Sequence, residues 1–80
     1  ATVVTSLRNH VAAYIQREVE VAESRYDPDT AEAVARSLRR VSNALLHTPS
    51  VRAADFAREG SLAEYSDAIE MVFGIEVDPA

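Results

Sequence analysis

Glycine and proline, the residues that most strongly interrupt helices, occupy only five of the 80 positions in this chain. The glycines are Gly60 and Gly74, and the prolines are Pro28, Pro49 and Pro79. No segment between them shows the sustained alternation of apolar and polar residues that is typical of a half-buried strand. The sequence therefore predicts an all-α fold, a small bundle of about four helices divided at these breakers.

The first predicted helix covers residues 3–25 and has a wide apolar face. At about 100° per residue, one side of it collects Val4, Leu7, Val11, Ile15, Val19, Ala22 and Tyr26. A helix of this length is roughly 35 Å long, which exceeds what a compact bundle of this size needs. We expect it to contact more than one neighbouring helix and to be the end of a connector from another domain.

The second predicted helix covers residues 28–47 and carries a narrow apolar seam. Asp27 is a good N-cap and Pro28 fits the first helical position, so the helix start is well marked. The seam consists of Val34, Leu38, Val41 and Leu45. Small residues beside the seam permit close approach of other helices. With the apolar face of the first helix, the seam supplies the candidates for the core or for a dimer interface: Val4, Leu7, Val11, Ile15, Val34, Leu38, Val41 and Leu45.

Two further helices are predicted in the C-terminal part of the chain. Thr48 is a plausible N-cap with Pro49 in the first turn, so the second helix should end there and a short third helix should run to Arg58. Its core candidates are Val51, Ala54 and Phe56. Ser61 and Glu64 have the spacing of a capping box, which predicts a last helix that stops at Gly74.

Composition limits what such a small domain can do. With 8 basic and 13 acidic residues, the net charge is −5, which argues against a general nucleic-acid-binding protein. Cysteine is absent, so neither disulfides nor thiolate–metal sites can stabilise the fold. A chain this short buries only about 60% of its unfolded surface, and oligomerisation is the remaining source of stability. No apolar run is long enough to cross a bilayer, and we expect a soluble cytoplasmic protein.

No arrangement of side chains predicts catalysis, cofactor binding or a metal site. His10 and His47 are the only histidines, and His47 is best explained by a favourable interaction with a helix C-terminus. The carboxylates are scattered, and no glycine-rich phosphate loop or dinucleotide-binding motif is present. The chain itself is therefore predicted not to be an enzyme. Because it begins with Ala1 rather than Met, we expect it to be a fragment of a longer protein.

Three segments together resemble the C-terminal dimerisation domain of glutamyl-tRNA reductase. ATVVTSLRNHVAAYIQREVEVA is similar to the end of the family's long spinal helix. AEAVARSLRRVSNALLHTPSVRAADFA contains the family's most recognisable string, Leu-Leu-His-x-Pro-x-Val-Arg. LAEYSDAIEMVFGI resembles its closing helix. The resemblance covers nearly the whole chain, and its specificity comes from the central string.

The resemblance implies a single dimerisation domain over residues 1–80, joining two subunits of a V-shaped homodimer. The family reduces glutamyl-tRNA to glutamate-1-semialdehyde with NADPH in tetrapyrrole (porphyrin and haem) biosynthesis. Its catalytic and NADPH-binding domains precede this segment, so no catalytic or cofactor-binding residue can be assigned here. A free-standing helical adaptor that binds an amphipathic partner helix is the alternative.

Three arginines on one predicted helical face raise the question of tRNA contact. Arg36, Arg39 and Arg40 could reach phosphate groups, as a tRNA-dependent enzyme requires somewhere. The alternative is a solvated face that pairs with local carboxylates, such as Arg36 with Glu32 at a spacing of four residues.

Overall fold

A computed structural model of the chain describes residues 2–77. Within that range it contains three helices and no strand: α1 (Thr2–Arg25), α2 (Pro28–Arg58) and α3 (Leu62–Phe73). The predicted all-α class and the long first helix are confirmed. The prediction of about four helices is wrong, because α2 continues where the third helix was expected to begin.

The start of α2 follows the sequence prediction closely. The Asp27 carboxylate accepts a hydrogen bond from the backbone N–H of Thr30 at 2.7 Å, and Pro28 is the first helical residue. This hydrogen bond stabilises the ionised carboxylate and lowers the pKa of Asp27. The end of α3 was also predicted correctly, since Gly74 takes the left-handed conformation (φ 67°) that a helix C-terminus favours.

The predicted capping box at the start of α3 is wrong. Ser61 is the residue before the helix, but its side chain makes no capping hydrogen bond. Its backbone instead closes the end of α2, where the Ser61 N–H donates to the Phe56 carbonyl at 2.8 Å and Gly60 has a φ of 77°. The turn is therefore determined by the C-terminus of α2 rather than by a side-chain cap on α3.

The predicted break at Thr48 and Pro49 is also wrong, because α2 runs through Pro49 without ending. Proline has no N–H to donate to the Leu45 carbonyl, and an interior proline costs a helix about 3 kcal/mol. Packing on both sides of Pro49 offsets that cost, since Leu46 and Ala53 are buried in the same hydrophobic cluster. The Pro49 carbonyl also accepts a hydrogen bond of 2.8 Å from the Tyr65 hydroxyl.

Replacing Pro49 with alanine should therefore stabilise the fold. The variant restores a backbone donor for the Leu45 carbonyl but loses some packing of the half-buried ring, and we expect a gain of about 1–2 kcal/mol in the free energy of unfolding. Urea denaturation measures it. Pro28→Ala is the control, because a proline at the first helical position costs nothing and its removal should give no gain. A loss of stability in Pro49→Ala would mean that ring packing outweighs the missing hydrogen bond.

The hydrophobic core lies at the open end of a helical hairpin. α1 and α2 run antiparallel, which brings the Arg8 guanidinium within 3.4 Å of the Ser50 hydroxyl although 42 residues separate them in sequence. α3 packs across this end. All three helices contribute to one cluster of buried side chains: Val3, Leu7, Leu46, Ala53 and Ile69. The closed end of the hairpin is filled by smaller side chains, Val19, Ala22, Ala31 and Ala35.

The buried face of α2 differs from the one suggested by its apolar seam. The residues that face α1 and α3 are Ala31, Ala35, Leu46 and Ala53. Near the C-terminal end of α2, the predicted core residues Val51 and Ala54 are exposed, whereas Ala53 is buried. The reason is tertiary: the position of α1 and α3 selects the buried face, and Ala53 is small enough to lie at the point where all three helices meet.

Candidate interaction surface

The seam of α2 lies largely on the surface of the single chain. Val34 and Leu38 are half-buried, whereas Val41 and Leu45 have exposed fractions of 57% and 71%. Of the α1 candidates, Leu7 is buried and Val4, Val11 and Ile15 are half-buried, with Val4 and Val11 packed against the core cluster. Among the eight candidates, Val41 and Leu45 are therefore the ones that the single chain leaves most exposed.

The surface around the seam carries no charge over several helical turns. When α2 is viewed along its axis, with successive residues about 100° apart, the seam and its exposed flank occupy a sector of about 140°. Between residues 30 and 51, no residue in this sector is charged. Its members are Thr30, Ala33, Val34, Ser37, Leu38, Val41, Ala44, Leu45, Thr48 and Val51. Contiguous uncharged, partly apolar surface of this kind is typical of interaction sites rather than of solvated helix faces.

α3 borders this surface on one side. The rings of Phe56 and Tyr65 stack with their centroids 5.0 Å apart, and the Tyr65 hydroxyl reaches the Pro49 carbonyl. Partial burial of the phenol raises the pKa of Tyr65. This contact between α2 and α3 was not predicted, because nothing in the local pattern links two residues so far apart in sequence.

Aromatic and exposed apolar side chains outside the seam form smaller groups. His10 is half-buried between two rings, with its centroid 5.2 Å from Tyr14 and 6.4 Å from Phe73. The Arg17 guanidinium lies 4.8 Å from the centre of the Tyr14 ring. Met71 is 86% exposed on α3. The contacts with Tyr14 and Phe73 give His10 a packing role at the surface.

The three arginines lie on exposed parts of α2 and differ in their contacts. Arg36 forms an ion pair with Glu32 at 3.2 Å, as predicted, with both side chains exposed. Arg40 lies 3.4 Å from the Ser37 hydroxyl. Arg39 lines two open grooves between α1 and α2, of about 500 and 330 Å³. They therefore form no single concave anion site.

The described part of the chain contains no group of three His, Asp or Glu residues that could hold a metal ion. Within residues 2–77, no helix combines the length and hydrophobicity required of a membrane-crossing segment.

The family model and the curated relatives that match this chain indicate the same family. Residues 1–75 match the family described as glutamyl-tRNAGlu reductase, dimerisation domain. The chain is 47% identical over 74 residues to a glutamyl-tRNA reductase of Micrococcus luteus, covering 91% of this chain and 16% of that protein. It is 36% identical over 78 residues to one of Clavibacter michiganensis subsp. michiganensis, covering 98% of this chain and 17% of that protein.

The chain thus spans about a sixth of the length of the curated relatives it matches. No solved structure is significantly similar to it. Both the family match and the relatives extend over α1, α2 and α3, so the resemblance seen in the central string of α2 holds for the whole fold. The chain belongs to the glutamyl-tRNA reductase dimerisation-domain family.

Proposed function

We propose that this chain is the C-terminal part of a glutamyl-tRNA reductase and that it joins two subunits into a homodimer. The observation that supports this most directly is the exposed seam on a domain with few buried side chains. Val41 and Leu45 leave apolar surface in contact with water that a second subunit would cover. Each fully buried Leu or Val side chain contributes about 1.5–3 kcal/mol, so even a few such contacts stabilise an association.

The reaction of the parent protein belongs to this proposal as well. It would reduce glutamyl-tRNA to glutamate-1-semialdehyde with NADPH, in the tetrapyrrole pathway and in the cytoplasm. The residues of this chain would take no part in the chemistry and would hold no cofactor. Their contribution is to fix the distance and orientation of the two catalytic subunits.

Contact of Arg36, Arg39 and Arg40 with tRNA is a separate proposal about the parent protein. The ion pair between Arg36 and Glu32 supports a solvated face for that residue. Among residues 2–77, no carboxylate forms an ion pair with Arg39 or Arg40, so these two are the better candidates for phosphate contact.

The mass of the chain in solution tests the dimer. Sedimentation or light scattering should give twice the monomer mass of 8.7 kDa at micromolar concentration, with a shift toward the monomer on dilution. A single species of monomer mass at every concentration up to about 1 mM would contradict homodimerisation. That result would favour the adaptor alternative, in which the same seam binds an amphipathic helix of another protein.

A further inference from the structure

We propose that the two copies meet through α2 itself, with the α2 helices paired antiparallel along the seam of Val34, Leu38, Val41 and Leu45. This inference rests on the proposed homodimer and specifies which surface forms it and in which orientation. The occupant of the exposed surface is therefore a second copy of this chain.

The spacing along the seam is that of a helix that packs against another helix over a long distance. The steps from Val34 to Leu38, Val41 and Leu45 are four, three and four residues, the same alternation that separates the a and d positions of a coiled coil. A helix that packs only within its own chain needs one apolar face. α2 has two, because the residues buried against α1 and α3 belong to a different side of the helix.

The surface beside the seam suits close approach of an identical helix. Ser37 and Ala44 flank it on the exposed side, and side chains this small allow two helix axes to come within about 8–10 Å. The absence of charged residues from the sector means that two copies meet without like-charge repulsion. A two-fold symmetric contact uses the same patch on both subunits, and an uncharged, self-complementary patch satisfies that condition.

The ends of the seam favour the antiparallel orientation. Arg52 continues the seam at its C-terminal end, and Asp27 lies in line with it just before the first residue of α2. In a parallel pair, each Arg52 would lie beside its symmetry mate. In an antiparallel pair centred between Leu38 and Val41, Arg52 of one copy lies opposite Asp27 of the other.

That register also aligns the apolar residues. Leu38 of one copy lies opposite Val41 of the other, and Val34 lies opposite Leu45, each contact occurring twice by symmetry. The contact then extends from Asp27 to Arg52, roughly 37 Å of helix at about 1.5 Å per residue. Both ends are closed by opposite charges, and each of the four central layers contains one Leu and one Val.

Charge placed in the seam tests the surface. Leu45→Asp should leave the single chain folded, because Leu45 is 71% exposed there, but should weaken dimerisation about a hundredfold or more. Met71→Asp is the matched control, since Met71 is 86% exposed on α3 and lies outside the seam; its dimer should be unchanged. Circular dichroism checks the fold, and sedimentation gives the dissociation constant.

The outcomes separate this inference from the proposed function. A wild-type dimer that Leu45→Asp leaves intact would place the interface elsewhere and overturn the inference alone. Dissociation by Met71→Asp but not by Leu45→Asp would assign the interface to α3. A wild-type chain that never dimerises would overturn both.

Disulfide cross-linking tests the orientation, and the absence of cysteine makes single-cysteine variants unambiguous. A mixture of Val34→Cys and Leu45→Cys chains should form a disulfide between unlike chains on oxidation, because the two positions face each other. Each variant alone should not, since its two cysteines lie about 16 Å apart along the helices, beyond the reach of a disulfide. Efficient linking of Leu45→Cys to itself would establish a parallel pair. A dimer in which neither the mixture nor a single variant is linked would contradict the register.

Discussion

Replacing Leu46 with alanine is expected to lower the free energy of unfolding by about 2–5 kcal/mol, as measured by urea denaturation. Leu46 is only 6% exposed and belongs to the cluster through which all three helices meet. Removing its side-chain methyl groups leaves a cavity beside Val3 and Ile69 that the surrounding helices cannot fully close. Because small domains have total free energies of unfolding of about 5–15 kcal/mol or less, this loss would remove a large part of the stability of the fold.

The adjacent leucine provides the matched control. Leu45→Ala removes the same atoms from a side chain that is 71% exposed, and in the monomer it should cost less than about 0.5 kcal/mol. Protein concentration distinguishes the two variants. Dimerisation stabilises the folded chain more at higher concentration, so the loss of stability caused by a variant that weakens the dimer grows as concentration rises. The Leu46→Ala loss should be independent of concentration and the Leu45→Ala loss should grow with it. Equal losses at low concentration would show that the buried face of α2 has been misassigned.

The boundaries that local chemistry determines were predictable from the sequence. The Asp27 carboxylate accepts a hydrogen bond from the Thr30 N–H whatever surrounds it, and Pro28 has no N–H that needs an acceptor. Gly74 adopts a conformation that few other residues tolerate. The break at Pro49 was not predicted correctly, because its cost depends on packing around it. Leu46 and Ala53 are buried on either side of that proline, and this tertiary contribution is absent from any local pattern.

The candidate surface was predictable in part for a related reason. Periodicity identified the seam of Val34, Leu38, Val41 and Leu45 as an apolar line, and the central string of α2 resembled the correct family. Periodicity does not state whether such a line faces its own chain or another. In α2 the face chosen by α1 includes Ala31 and Ala35, whose small side chains gave only a weak apolar signal.

The other large effect is expected from Ala53→Leu, which should lower the free energy of unfolding by about 1–3 kcal/mol. Ala53 is 1% exposed in the cluster of Val3, Leu7, Leu46 and Ile69, so three added carbons have no space to occupy. Either α3 moves away from the hairpin or neighbouring side chains leave their preferred rotamers. Thermal or urea unfolding measures the loss.

Ala54→Leu is the control for helix propensity, because Ala54 follows directly in α2 and is exposed. Leucine is nearly as good a helix former as alanine, so this variant should stay within about 0.5 kcal/mol of wild type. The pair also decides between the two faces considered for this part of α2, since the sequence pattern assigned Ala54 to the core and the structure assigns Ala53. A larger loss in Ala54→Leu would mean that α2 is rotated from the orientation described here. At about 100° per residue, such a rotation would turn the seam to the side of α2 opposite α1, and Ala31, Ala35 and Leu46 could no longer form the buried face of the helix.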